Sequence, residues 1–117
     1  MSGRLANAAG RAAEDAVARH YAARGATARD RRWRGGGGEI DLVLTDAAGD
    51  IVFVEVKHAC THAAAAHALG AAQMARLAQA ADTYLATLPA GRDTPCRFDA
   101  ALVDRRGAIE VIENAFV

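Results

Sequence analysis

The stretch Ile51-Val-Phe-Val-Glu-Val-Lys57 constrains the fold more tightly than any other part of the chain. Its residues are almost all β-branched or aromatic until the last turn of the pattern, which favours an extended strand. Alternation places Val52, Val54 and Val56 on one face and Ile51, Phe53, Glu55 and Lys57 on the other. One face is wholly apolar, and the second becomes charged only at its far end. A strand apolar on both faces must be covered on both sides, so it is central and emerges into a pocket at Glu55 and Lys57. Lys57 is the sole lysine among 14 basic residues, all others being arginine.

The neighbouring segments build a domain around this strand. Glu39-Ile-Asp-Leu-Val-Leu-Thr45 reads as a partner strand, and Asp46-Ala-Ala-Gly-Asp50 between the two is a hairpin signal. Residues 26–34 read as an edge strand, followed by a flexible loop from Gly35 to Gly38. A helix is expected over 4–24, stopped by Gly25, and a second over 64–88, stopped by Pro89 and Gly91. The second carries Gln73, Leu77, Ala81, Tyr84 and Leu88 along one stripe. Strands at 97–103 and 108–112 flank the turn Asp104-Arg-Arg-Gly107. The order is helix, three strands, helix, two strands, which makes residues 1–117 one α/β domain. A chain of this length buries roughly two-thirds of its unfolded surface without disulfide or metal staples.

Charge is balanced overall but unevenly spread: residues 1–34 hold eight arginines against three acids, and the remainder is acidic. A cationic third permits a nucleic-acid partner, as does a plain solvated arginine surface. Cys60 and Cys96 form no disulfide framework and no CxxC pair, and a reducing compartment follows. Met1 to Asn7 lack the apolar run of a signal peptide, and no stretch approaches a membrane span, so a cytoplasmic protein is expected.

The hairpin concentrates acids at one end. Glu39 and Asp41 are expected on one face, Ile40 and Leu42 on the other. Centring the hairpin on Ala48 sets Asp41 opposite Glu55 and Glu39 opposite Lys57. Two facing carboxylates with Cβ atoms about 5 Å apart destabilise a sheet unless a cation lies between them. Mg²⁺ suits the position, because it is commonly held by one or two carboxylates with waters and substrate phosphate. Lys57 is then free to orient a water or stabilise charge developing on a phosphate, tasks for a compact ammonium rather than a planar guanidinium. On the first helix, Gly10, Glu14, Val17 and Tyr21 share a stripe, so Glu14 points where apolar neighbours point and needs a partner.

Other clusters carry less chemistry. His58-Ala-Cys60-Thr-His62 offers three soft ligands but no fourth and matches no zinc signature; a polar loop is the plainer reading. Asp99, in a strand, reads as a structural hydrogen-bonding group. Arg31, Arg32, Trp33 and Arg34 mix one aromatic with basic residues, either a phosphate-and-stacking patch or a solvated edge strand anchored by Trp33. The four glycines are not a P-loop, since no Gly-Lys-Ser/Thr follows.

Taken together, Gly38-Glu-Ile-Asp-Leu42, Phe53-Val-Glu-Val-Lys57, Gly10-Arg-Ala-Ala-Glu14, Arg97-Phe-Asp99 and the ending Asn114-Ala-Phe116 resemble the YraN-like family of small bacterial proteins. That family is similar to Holliday-junction resolvases and to nucleases of the PD-(D/E)XK type. The resemblance implies a restriction-endonuclease-like αβββαβ core, with a mixed sheet flanked by helices. It implies that Asp41, Glu55 and the Val56 carbonyl bind Mg²⁺ or Mn²⁺, that Glu14 supports the metal site, and that Lys57 aligns the attacking water. Gln73 stands where the family usually has a lysine, and Ala59 where an arginine often follows. The implied function is a metal-dependent endonuclease acting on DNA, including branched structures, and the implied assembly is a homodimer. A nucleic-acid or protein-binding module that keeps the fold without turnover is the alternative.

Overall fold

The computed structural model describes residues 3–115, with side chains from Ala8 onward; Phe116 of the quoted ending lies outside the described residues. Helix α1 spans Gly3–Ala22, then come β1 (Thr27–Gly35), β2 (Gly38–Thr45) and β3 (Ile51–His58). Helices α2 (His62–His67) and α3 (Ala71–Leu85) precede β4 (Cys96–Val103) and β5 (Ile109–Ile112). The strands form one mixed sheet in the order β1-β2-β3-β4-β5, antiparallel throughout except for the β3–β4 pair. The long connection that parallel pairing requires is the crossover through α2 and α3. This is the expected α/β architecture, consistent with a restriction-endonuclease-like fold.

β3 is central, as its two apolar faces require. Val52 and Val54 pack with Leu42, Leu44, Ala101 and Val103 beneath Ala13, Val17 and Tyr21 of α1. Ile51 and Phe53 pack on the opposite side with Ile40, Val43 and the α3 residues Leu77, Ala80, Ala81, Tyr84 and Leu85. α2 covers a smaller patch, Ala65 resting on Ala100 and Leu102 of β4. Helix α1 ends where expected, Gly25 adopting φ 89° while the Ala26 N–H returns to the Tyr21 carbonyl. The β2–β3 turn is tied by Asp46, whose Oδ1 accepts from the N–H groups of Ala48 and Asp50.

Three expectations are corrected. The helix read over 64–88 is two helices: Thr61 caps α2 by accepting from the Ala64 N–H, the chain turns through Ala68–Gly70, and α3 restarts. One straight helix cannot cover both β4 and the β1–β2 side of the sheet, which is what α2 and α3 do separately. The stretch from Gly35 to Gly38 is not a loose loop. Gly35 pairs with Gly38, and Gly36 and Gly37, at φ 62° and 83°, make a two-residue turn of the I′ kind. The turn presses on α3: a Cβ on Gly38 would collide with the Arg76 carbonyl, and one on Gly36 would lie 2.8 Å from the Gln79 carbonyl oxygen. Third, Ile40 and Leu42 do not share a face, for Ile40 belongs to the α3 side and Leu42 to the α1 side. The β1–β2 register is unchanged from Arg31↔Leu42 to Trp33↔Ile40, but Arg32, which lies between them opposite Asp41, adopts a left-handed φ of 50° at the point where the alternation is interrupted. Among the described residues, no helix is long and apolar enough to cross a membrane.

Candidate active site at a fork in the sheet

The hairpin register is the one centred on Ala48: Thr45 pairs with Ile51 and Leu42 with Val54. There the β2–β3 ladder stops, although β2 continues to pair with β1 as far as Gly38 and β3 with β4 as far as His58. The two strands part, and the next residues, Asp41 and Glu55, line the fork. Asp41 replaces the missing rung with its side chain, its Oδ2 accepting from the Val56 N–H at 2.8 Å. In a strand the N–H and C=O of one residue point to the same neighbour, so the Val56 carbonyl is directed to this side as well.

Glu55 is only 5% exposed. Its Oε1 accepts from the Gln73 side-chain amide of α3 at 3.0 Å, and the Lys57 ammonium lies 3.5 Å from the same oxygen. These contacts do not neutralise it. Burial first, and the neighbouring Asp41 second, push the Glu55 carboxyl from 4.5 up to about 8, against the pull of Lys57. Asp41 is raised too, chiefly by burial, with the charges of Glu14 and Glu39 adding to it and the Val56 N–H opposing. Two carboxyls that resist ionising together are a place that a bound cation would stabilise.

Glu14 sits at the same end of the sheet but is otherwise engaged. Buried on α1, it accepts from Arg32 Nε at 3.0 Å, while Arg31 lies 3.8 Å away and bonds mainly to Asp15. No group of three His, Cys, Asp or Glu residues among those described is gathered into a metal cluster. The donor set nevertheless fits a hard cation: two carboxylates and a carbonyl, with the remaining positions open to water and phosphate, is the pattern Mg²⁺ accepts.

The structure therefore brings Asp41, Glu55, Val56, Lys57 and Gln73 into one site and sets Glu14 behind it. The basic residues of β1 are dispersed. Trp33 packs edge-on against Tyr84 at 5.1 Å between ring centres, Arg31 and Arg32 are held by Asp15 and Glu14, and Arg34 remains 80% exposed with a long 3.7 Å pair to Glu39. Asp99 is fully buried on the far side, accepting from the Tyr21 hydroxyl at 2.8 Å and from Arg97, which also grips Asp46 at the hairpin turn. In the His58–His62 segment, His62 is spent on the Ala108 carbonyl at 2.8 Å and on Glu110 at 3.2 Å. The Arg32–Glu14 tie was missed by sequence reasoning, because its members are 18 residues apart on different elements and no local spacing links them.

The site lies within a stretch recognisable in other proteins. The chain matches the profile of the uncharacterised protein family UPF0102 over residues 13–103, a range that contains Glu14, Asp41, Glu55, Lys57 and Gln73. It is 51% identical to a UPF0102 protein of Cereibacter sphaeroides over 99% of this chain and 98% of that one. A UPF0102 protein of Ruegeria pomeroyi is 53% identical over 92% of this chain and 87% of its own length. A more distant UPF0102 protein of Acidovorax is 42% identical over 86% and 79% respectively. By profile and by relatives matched almost end to end, the chain belongs to the uncharacterised protein family UPF0102, the YraN-like family that its motifs resemble.

Proposed function

We propose that the protein is a metal-dependent endonuclease that hydrolyses phosphodiester bonds of DNA, with branched structures among its substrates. The observation that carries this reading is the buried Asp41–Glu55 pair at the fork, with Lys57 and Gln73 both on Glu55 Oε1. Mg²⁺ or Mn²⁺ would be held by Asp41, Glu55 and the Val56 carbonyl, and when bound supplies Lewis acidity and neutralises phosphate charge. Asp41 is kept in place by the Val56 N–H, and Glu55 by the Gln73 amide, so neither carboxylate must reorganise on binding. The Lys57 side chain, 22% exposed beside Glu55, carries an ammonium that can orient the attacking water and meet the charge that develops on phosphate. A binding module without turnover is the second reading, favoured by Arg32, which neutralises the supporting acid Glu14 at 3.0 Å.

The test is to incubate the protein with linear, flapped and four-way DNA in Mg²⁺ or Mn²⁺ beside Glu55→Ala and Lys57→Ala. Metal-dependent cleavage is expected from the unmodified protein only. Equal cleavage, or none, in all three proteins would sink the hydrolytic reading, and DNA binding that survives Glu55→Ala without any metal binding would favour the module.

A further inference from the structure

A second site adjoins the fork. The I′ turn, the end of β1 and the start of α3 enclose an open groove of about 440 Å³ lined by Arg34, Gly35, Gly37, Gly38, Glu39 and Arg76. We propose that this groove binds the backbone phosphate next to the one being cleaved, on a nucleic-acid strand that passes through the fork; the proposal rests on the nuclease reading above.

Four observations carry it. Arg34 and Arg76 are both exposed and converge on the groove from different elements, and Arg76 makes no ion pair among the described residues. Glu39 is the acid among the lining residues, and its 3.7 Å contact with Arg34 is loose, so the groove keeps a net positive charge. At Gly37 the wall between the arginines is bare backbone: nothing lies within 4 Å of where a Cβ would stand there, and a two-residue turn leaves that residue's N–H outside the ladder. Bare backbone and two guanidinium forks are the chemistry that recognises a phosphate.

Position supplies the link to cleavage. Arg76 follows Gln73 by three residues on α3, which puts the two on one face about 4.5 Å apart along the axis. Glu39 precedes Asp41 by two residues on β2 and adds to its electrostatic field. A strand held in the groove is thereby led past Gln73 and Asp41 to Glu55 and Lys57. The β1 arginines nearer the middle of the strand cannot do this, since Arg31 and Arg32 are tied to Asp15 and Glu14.

The experiment measures binding of a fluorescein-labelled four-way junction and of a linear duplex by anisotropy, in EDTA, across a salt series. Arg34→Ala and Arg76→Ala should each weaken binding several-fold and lower the slope of log K against log salt by about one, as the loss of one phosphate contact does. Arg34→Lys and Arg76→Lys should preserve the slope. Arg106→Ala, on the Asp104–Gly107 turn at the opposite edge of the sheet, should change neither quantity. Unchanged binding in both alanine variants, an equal loss in Arg106→Ala, or no binding by the unmodified protein would each overturn the groove. Binding that depends on Arg34 and Arg76 without any cleavage would overturn the hydrolytic reading alone. Cleavage with arginine-independent binding would overturn the groove alone.

Discussion

Glu55→Gln should make the metal-free protein more stable at pH 8 while abolishing its response to magnesium. Glutamine keeps the shape of the side chain and an oxygen that can still accept from Gln73 and face Lys57. What it removes is a titration. The Glu55 carboxyl stands at about 8 in the fold against an ordinary 4.5, so between those values the folded chain holds a proton that the unfolded chain has released. Bound protons are then fewer in the unfolded state, and stability must fall as pH rises through the window. At about 1.4 kcal/mol per pH unit the loss is as much as ~5 kcal/mol across the whole window, a large share of the ~5–15 kcal/mol that holds a typical domain together. His20, lowered by burial and by Arg24, tilts the curve the other way just below 6.5, but it does so equally in both proteins. Asp46 and Asp104, lowered by backbone N–H donors, act only at acid pH below the window. Urea unfolding in EDTA, followed by the fluorescence of Trp33 against Tyr84, should show the unmodified protein losing several kcal/mol from pH 5 to 8 and Glu55→Gln losing much less, the remaining slope coming from Asp41, which burial raises in both proteins. Added Mg²⁺ competes with the proton, so it should restore stability to the unmodified protein most strongly at pH 8 and do little for Glu55→Gln. Parallel pH curves for the two proteins, or stability rising from pH 5 to 8 without metal, would refute the reasoning.

Three further outcomes are expected. Lys57→Arg should fold normally yet lose ~10²-fold or more in DNA cleavage, since charge is kept but a compact, water-orienting ammonium is not; full activity in a single-turnover assay would count against Lys57. Asp99→Ala should cost ~3 kcal/mol or more in urea unfolding, because it strands the buried Tyr21 hydroxyl and frees Arg97 from one of its carboxylates, whereas Tyr21→Phe should cost only ~1–2 kcal/mol. Gly38→Ala should destabilise by ~1–3 kcal/mol through the forced contact with the Arg76 carbonyl, and an unchanged melting temperature would show that α3 yields freely there.

Much of the architecture is legible from local rules. The alternation in Ile51–Lys57 requires a strand covered on both faces, and the composition of Asp46–Asp50 sets a hairpin whose register can be counted outward to Asp41 and Glu55. The helical stripe through Glu14, Val17 and Tyr21 marks a buried acid before any partner is known. Where the reading departs from the structure, the deciding contact is between distant segments. Nothing within residues 64–88 says that the helix must break to cover two different strands, and nothing in four consecutive glycines says that they form a tight turn against the backbone of α3.

The sequence by itself determined which side chains are available and which elements carry them: a carboxylate on each hairpin strand, one lysine two residues on, and a glutamine on an inward helical stripe. Periodicity suffices for that, because it depends only on bond geometry within each element. The tertiary structure alone decided that the β2–β3 ladder stops at Leu42 and Val54, that Asp41 takes over the Val56 N–H, and that Arg32 reaches back to Glu14. Those outcomes arise from competition among β1, β4 and the helices for the same two strands, and burial at the resulting fork is what turns an ordinary Glu-x-Lys into a carboxyl pair that resists ionising.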